Sequence, residues 1–309
     1  MSNWRSSHAF PLNTLTVSLR THGRLVAGDV LVAQRLKRAS SIIDKLRRET
    51  GMSLDRMQDI GGCRAVMPTL QDVYLLQDRL LRSSMRHELR RQTDYIKAPK
   101  ASGYRGIHLI YLYKSDRSKV YDKLSIEVQI RSRLQHAWAT AVETVGTFLD
   151  QSLKASQGSA DWLEFFQVVS RALAFTEDAA PSEDVPQIHA ILDRARELSR
   201  KLNVQQVLGQ YGTALHSTTE NAPQDAAYYL MTLLPEKHTL TIASFTRAQL
   251  AEANERYTAS EQALSGIPGA QVVLVSAESL VALRKAYPNY FLDTDLFIEA
   301  LRNLDANEF

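Results

Sequence analysis

Residues 125–132, SIEVQIRS, alternate without interruption. Successive side chains of an extended chain point to opposite faces, so Ile126, Val128 and Ile130 share one side and Glu127, Gln129 and Arg131 the other. The segment reads as a strand with one face on a core and an acid, an amide and a cation in a row on the opposite face. Its surroundings must then supply a sheet and a cover. CRAVM (63–67) and GIHLIYLY (106–113) read as two more strands. LQDVYLLQDRLL, with Thr69 as its N-cap, and RLQHAWATAVETVGTFL read as amphipathic helices. This β-α-β-β-α order predicts a mixed sheet with helices packed on it.

Upstream, Leu12 to about Arg48 reads as helical with a break near Gly28-Asp29, and Ile42, Ile43 and Leu46 fall at helix spacing. Asp59-Ile60-Gly61-Gly62 reads as a turn or kink. Downstream, residues 155–215 read as helical, with TEDAAPSEDVPQ (176–187) as a linker. YYLMTLL and HTLTIASF flank Pro235-Glu236-Lys237 as a hairpin, followed by a helix (246–264), the strand QVVLVS and another helix. The expected fold class is α+β, a mixed β-sheet flanked by helices with a helical connector and a second small α+β domain. The boundaries fall at 1–155, 156–220 and 221–309.

Charge divides the chain. Residues 1–150 hold 25 Lys and Arg against 14 Asp and Glu, whereas residues 151–309 hold 12 against 20. The basic part should attract phosphates, and the acidic part could dock against it or serve solubility. The single cysteine, Cys63, excludes an intramolecular disulfide and a multi-cysteine zinc site. No apolar run approaches the ~18 residues of a membrane span. MSNWRSSHAFPLNTL lacks the basic start and apolar core of a signal peptide. A soluble cytoplasmic protein with no membrane partner is expected.

The chemistry concentrates in the basic part. Asp59, before a Gly-Gly kink, and Glu127 are carboxylates at strand ends. Such a pair can hold Mg²⁺, which favours a few carboxylates together with substrate phosphates. Lys37, Ser41 and Lys45 are spaced to share a helix face, and with Arg35 they make a candidate polyphosphate cradle. From Leu81 to Arg105 there are seven Lys and Arg against two acids. Within that run, DYIKAPKASGYRGIH (94–108) brings Lys100, Tyr104 and His108 into a turn-rich loop at a strand entrance. Gly103 allows an unusual turn, and an aromatic there can stack on a base. Taken singly, each feature is more often an ordinary solvated face or a structural aromatic; their combination is what suggests a nucleotide site.

DIGGCRAV, DYIKAPKASGYRGIH, IEVQIRSRLQHAWATAVE and the upstream RLKRASSIIDK occur in an order and spacing that resemble the synthetase domain of RelA/SpoT-type alarmone synthetases, over roughly residues 30–150. The resemblance implies a nucleotidyltransferase-like fold and transfer of pyrophosphate from ATP to the ribose 3′-hydroxyl of GDP or GTP, giving (p)ppGpp with Mg²⁺. It implies that Arg35, Lys37, Ser41, Lys45 and Arg64 bind ATP, that Asp59 and Glu127 serve the metal and the chemistry, and that Lys100, Tyr104, His108, Gln129 and Arg131 form the acceptor side. Ser102 stands where the family often has asparagine, and Gly61-Gly62 where bulkier residues are common. No His-Asp pair occurs, so a short form without the HD-type hydrolase domain is expected.

Two other readings compete. A toxic branch of small synthetases pyrophosphorylates the tRNA 3′ end or makes adenosine analogues. The acidic part would then be a built-in antitoxin, in intramolecular contact with the basic part. A non-catalytic nucleotide- or RNA-binding module would use the same basic run and Tyr104, but has no need of paired acids. The resemblance also leaves a homo-oligomer open.

Overall fold

The computed structural model describes residues 2–148, 159–177, 179, 185–220, 223, 225–264, 266–267 and 269–306. Of the linker expected at 176–187, residues 178 and 180–184 fall outside the described residues, while Thr176 and residues 185–187 are helical; the junction between 155 and 156 also falls outside. Two N-terminal helices, α1 (Ser2–Ser7) and α2 (Ala9–Arg24), precede strand β1 (Leu31–Leu36) and helix α3 (Ala39–Arg48). There follow β2 (Gly61–Met67), α4 (Leu70–Arg82), β3 (Glu88–Asp94), β4 (Ile107–Leu112), β5 (Ser125–Ser132) and α5 (Arg133–Phe148). Helices α6 (Ala160–Thr176), α7 (Val185–Lys201) and α8 (Val204–Ala214) come next. The chain closes with β6 (His216–Glu220), β7 (Ala226–Leu234), β8 (Thr239–Thr246), α9 (Leu250–Ala263), β9 (Gln271–Ser276), α10 (Leu280–Ala286), α11 (Pro288–Phe291) and α12 (Asp295–Ala306).

Among the described residues the strands form one nine-stranded sheet, in the order β3-β4-β5-β2-β1-β9-β7-β8-β6. β2 runs parallel to β5 and β6 to β8; the other neighbours are antiparallel. The alternation of β5 sets the layers. Ile126, Val128 and Ile130 join Cys63, Ala65, Leu109 and Tyr111 beneath α2 and α4, which contribute Leu12, Leu15, Leu19, Val73, Leu76 and Leu80. Each fully buried Val, Leu or Ile among them stabilises the fold by about 1.5–3 kcal/mol before entropy is counted. Helix α4 starts where expected: the Thr69 hydroxyl accepts from the Asp72 amide while the Asp72 carboxylate accepts from the Thr69 amide. The opposite face of β1, β2, β4 and β5 is left open as a cleft. Helices α5 to α8 and α12 share a second core beside it, built around Trp138, Trp162, Phe165, Phe166 and Phe297.

Three local expectations change. Leu31–Leu36 is a strand rather than part of a helix, so Arg35 lies on β1 and Lys37 in the connection before α3. β1 pairs along its whole length with β2 and again with β9 at Gln34 and Arg35, and this pairing overrides the helix propensity of its Gln, Arg and Leu. The helix face assumed for Lys37, Ser41 and Lys45 therefore begins only at Ala39. Glu88–Asp94, read only as a basic stretch, is the edge strand β3, where an exposed charged surface discourages pairing with another chain. Gly61 and Gly62 lie inside β2. The hairpin around Pro235–Lys237 forms as expected between β7 and β8. Among the described residues no helix is long and apolar enough to cross a membrane.

Candidate active site

Strand register builds the cleft floor. Across β1, β2, β5 and β4, one row runs Arg35, Gly62, Glu127, Ile110 and the next runs Ala33, Arg64, Gln129, His108. A Cβ added at Gly62 would meet nothing within 4 Å, so the floor between Arg35 and Glu127 stays open. The cleft holds about 990 Å³. That is the upper end of the roughly 300–1,000 Å³ found for single-ligand sites.

Glu127 sits at the centre of a closed set of hydrogen bonds. The Arg131 guanidinium donates through Nε to the Tyr104 hydroxyl (3.1 Å) and through Nη2 to Gln129 Oε1 (2.9 Å). Tyr104 Oη lies 2.5 Å from His108 Nε2, and His108 Nδ1 lies 2.8 Å from Glu127 Oε1. Gln129 Nε2 donates to Glu127 Oε2 at 2.8 Å. With Glu127 ionised, His108 carries its proton on Nδ1 and accepts from Tyr104, so two arms of donors run from Arg131 and converge on one carboxylate. Burial would raise the Glu127 pKa. The hydrogen bonds from His108 and Gln129 outweigh it and hold the carboxyl below the usual carboxylate range. Burial pushes the Tyr104 phenol up, so it remains a hydroxyl.

Asp59 is held from the other side. Lys37 Nζ donates to Oδ2 at 2.8 Å and Lys45 Nζ to Oδ1 at 3.2 Å. Burial again pushes upward, but the two ammonium groups keep this carboxyl below its ordinary range. Arg64 donates through Nη2 to the Ala286 carbonyl, and its Nε is buried without a hydrogen-bond partner among the described residues. Its guanidinium lies 5.7 Å from the centre of the Tyr287 ring.

The structure thus gathers Arg35, Lys37, Lys45, Asp59, Arg64, Lys100, Tyr104, His108, Glu127, Gln129 and Arg131 around one cleft. Ser41, in the first turn of α3, does not line it. Tyr104 is 7% exposed, with Lys100 Nζ and the Arg131 guanidinium carbon 5.0 and 4.8 Å from its ring centre, so a base stacking there competes with those cations. Sequence reasoning missed Tyr95, Glu143 and Tyr287, which also line the cleft. Tyr95 sat in the quoted loop, and its ring–ring contacts with Tyr104 and His108 follow from one turn of that loop. Glu143 ends the α5 motif. For Tyr287 the sole local cue was a pair of tyrosines bracketing Pro288-Asn289.

Residues 34–146 match the model of a region found in RelA/SpoT proteins. The chain is 32% identical over 111 residues to the GTP pyrophosphokinase YjbM of Bacillus subtilis, covering 35% of this chain and 52% of that protein. It is 30% identical over 113 residues to the GTP pyrophosphokinase YwaC of the same organism, covering 34% and 52%. The chain thus spans about half the length of these curated relatives. Among solved structures, the small alarmone synthetase 1 from Bacillus subtilis bound to its product pppGpp aligns with 25% identity and a TM-score of 0.49, over 56% of this chain and 90% of that one.

Proposed function

We propose that this protein is an ATP-dependent pyrophosphokinase that transfers the β,γ-pyrophosphate of ATP to the ribose 3′-hydroxyl of GDP or GTP. The observation that carries this reading is Glu127, a carboxylate held below its ordinary pKa by His108 and Gln129 on the floor of a large cation-lined cleft. Arg35 and Arg64 take the adenosine side of the donor, Lys37 and Lys45 its phosphates, and Lys100, Tyr104 and His108 the acceptor. Gln129 holds Glu127 directly, and Arg131 holds Gln129 and Tyr104. The acceptor 3′-oxygen bonds to the β-phosphorus, the bond from that phosphorus to the α,β-bridging oxygen breaks, and AMP leaves. Glu127 accepts the hydroxyl proton. Asp59 and Glu127 offer hard oxygen donors that suit Mg²⁺ arriving with substrate phosphates, and the bound ion would offset charge on the transferring group.

The test is label transfer from γ-labelled ATP to GDP, GTP, ADP, ATP or deacylated tRNA. Label on guanosine nucleotides supports the reading. Glu127→Gln is expected to lower kcat about 10²–10⁴-fold while leaving ATP affinity nearly intact. A variant that retains full activity would remove Glu127 from the base role.

A second reading, a synthetase held in check by its C-terminal part, is favoured by the contacts of Ala286 and Tyr287 at the cleft. Tyr287 lines the cleft, its hydroxyl donates to the Gln34 carbonyl at 2.7 Å, and Arg64 is engaged by the adjacent Ala286 carbonyl. The donor-side arginine is thus partly used by α10. The ion pairs Arg5–Glu261 and Arg24–Glu278, which join the basic and acidic parts, support the same reading. Tyr287→Ala is then expected to raise turnover and lower the KM for ATP; an unchanged or lower rate counts against restraint. Label on tRNA or adenosine nucleotides would place the chemistry in the toxic branch.

A further inference from the structure

The loop that carries Lys100 and Tyr104 is fastened from behind by an element outside the matched region. Helix α6 runs directly against it. Gly103 adopts φ +88°, and a Cβ there would come within 3.1 Å of the Gln167 Cα, the Phe166 carbonyl oxygen and the Ser170 Cβ. The loop backbone therefore touches the helix with no side chain between them. The Ser170 hydroxyl donates to the Gly103 carbonyl at 2.5 Å and accepts from Arg105 Nε at 3.3 Å. Arg105, 7% exposed, also donates through Nη1 to the Ile96 carbonyl at 2.8 Å. One hydroxyl and one guanidinium thus tie both ends of the 96–103 turn to each other and to α6. Helix α6 is in turn fixed to α5, because Trp138 Nε1 donates to the Phe166 carbonyl at 2.9 Å. Inside the turn, the Gly103 amide donates to the Lys100 carbonyl (2.8 Å) and the Lys100 amide to the Tyr104 carbonyl (3.2 Å). The Lys100 ammonium is left 4.6 Å from the Tyr95 ring centre and 5.0 Å from that of Tyr104.

We propose that Ser170 is a positioning residue for the acceptor: by clamping the 96–103 turn to α6 it presets Lys100 and Tyr104, so that the acceptor meets a formed site. This rests on the pyrophosphokinase reading for what the loop binds, but the clamp itself does not. A preset loop spares the acceptor the entropy of ordering it, and that saving appears in acceptor affinity. The donor-side residues lie on β1, β2, α3 and, for Lys37, the connection before α3, whereas Ser170 bonds to Gly103 and Arg105. Loss of the clamp should therefore separate the two substrates.

The experiment is Ser170→Ala in the full chain, with steady-state kinetics and amide hydrogen exchange. Losing one buried hydrogen bond of about 1.4 kcal/mol corresponds to roughly tenfold. The expected result is an acceptor KM raised about tenfold, an ATP KM within twofold of wild type, and faster exchange across residues 97–104 with β4 and β5 unchanged. Equal rises in both KM values, an unmoved acceptor KM, or unchanged exchange in 97–104 would each overturn the proposal. A wild type that transfers label to no acceptor would defeat the pyrophosphokinase reading instead, and exchange across 97–104 would still decide the clamp.

Discussion

Two carboxylates in the cleft have their charges set by named neighbours. Glu127 and Asp59 both have folded pKa values below their ordinary 4.5 and 3.8. A depressed carboxyl contributes stability that is complete above its unfolded pKa and is lost as pH falls through the folded value. In metal-free buffer, the stability difference between wild type and Glu127→Gln is therefore expected to be flat from pH 8 to about 5 and to shrink below about 4.5. Thermal unfolding midpoints across that range check it, and a difference that grows toward acid would reverse the sign assigned here. At this scale the sequence was legible where chemistry and period coincide: Glu127, Gln129 and Arg131 announced themselves by alternation. Ser170 and Tyr287 did not, because each acts through the backbone of a segment distant in sequence.

Among the elements, α3 shows how a distant part of the chain finishes a local structure. Its N-cap, Arg38, makes no side-chain cap bond. The Ala39 amide donates instead to Glu261 Oε1 on α9 (2.8 Å), which also accepts from the Tyr257 hydroxyl. Glu261 Oε2 accepts from Arg5, whose side chain is only 7% exposed. Removing Glu261 leaves a nearly buried guanidinium unpaired and a helix start uncapped. Glu261→Ala is expected to cost about 3–5 kcal/mol in urea unfolding, and the Arg5→Ala/Glu261→Ala pair less than the sum of its single variants. Additive losses would show that the two residues do not act together. The same tertiary influence explains why β1 was missed: Leu31–Leu36 has no strong period of its own, and β2 and β9 impose the strand. β3 was missed for the opposite reason, since an edge strand of charged residues carries little apolar pattern.

Over the whole molecule, one sheet passes from the basic part of the chain to the acidic part through β1 and β9. That passage is narrow. β1 pairs with β2 at six positions but with β9 at two, Gln34 with Ser276 and Arg35 with Val275. Native-state hydrogen exchange should find the amides that bridge β1 and β9 opening more readily than those between β2 and β5, which pair at seven positions. Equal protection would mean that the surrounding helices, rather than the ladder, bind the two parts. A joint of two rungs also works as a splice point. The five strands β3, β4, β5, β2 and β1 hold every residue of the cleft floor, so the four beyond the joint form a cartridge that could be exchanged for another sheet edge while the floor stays in register.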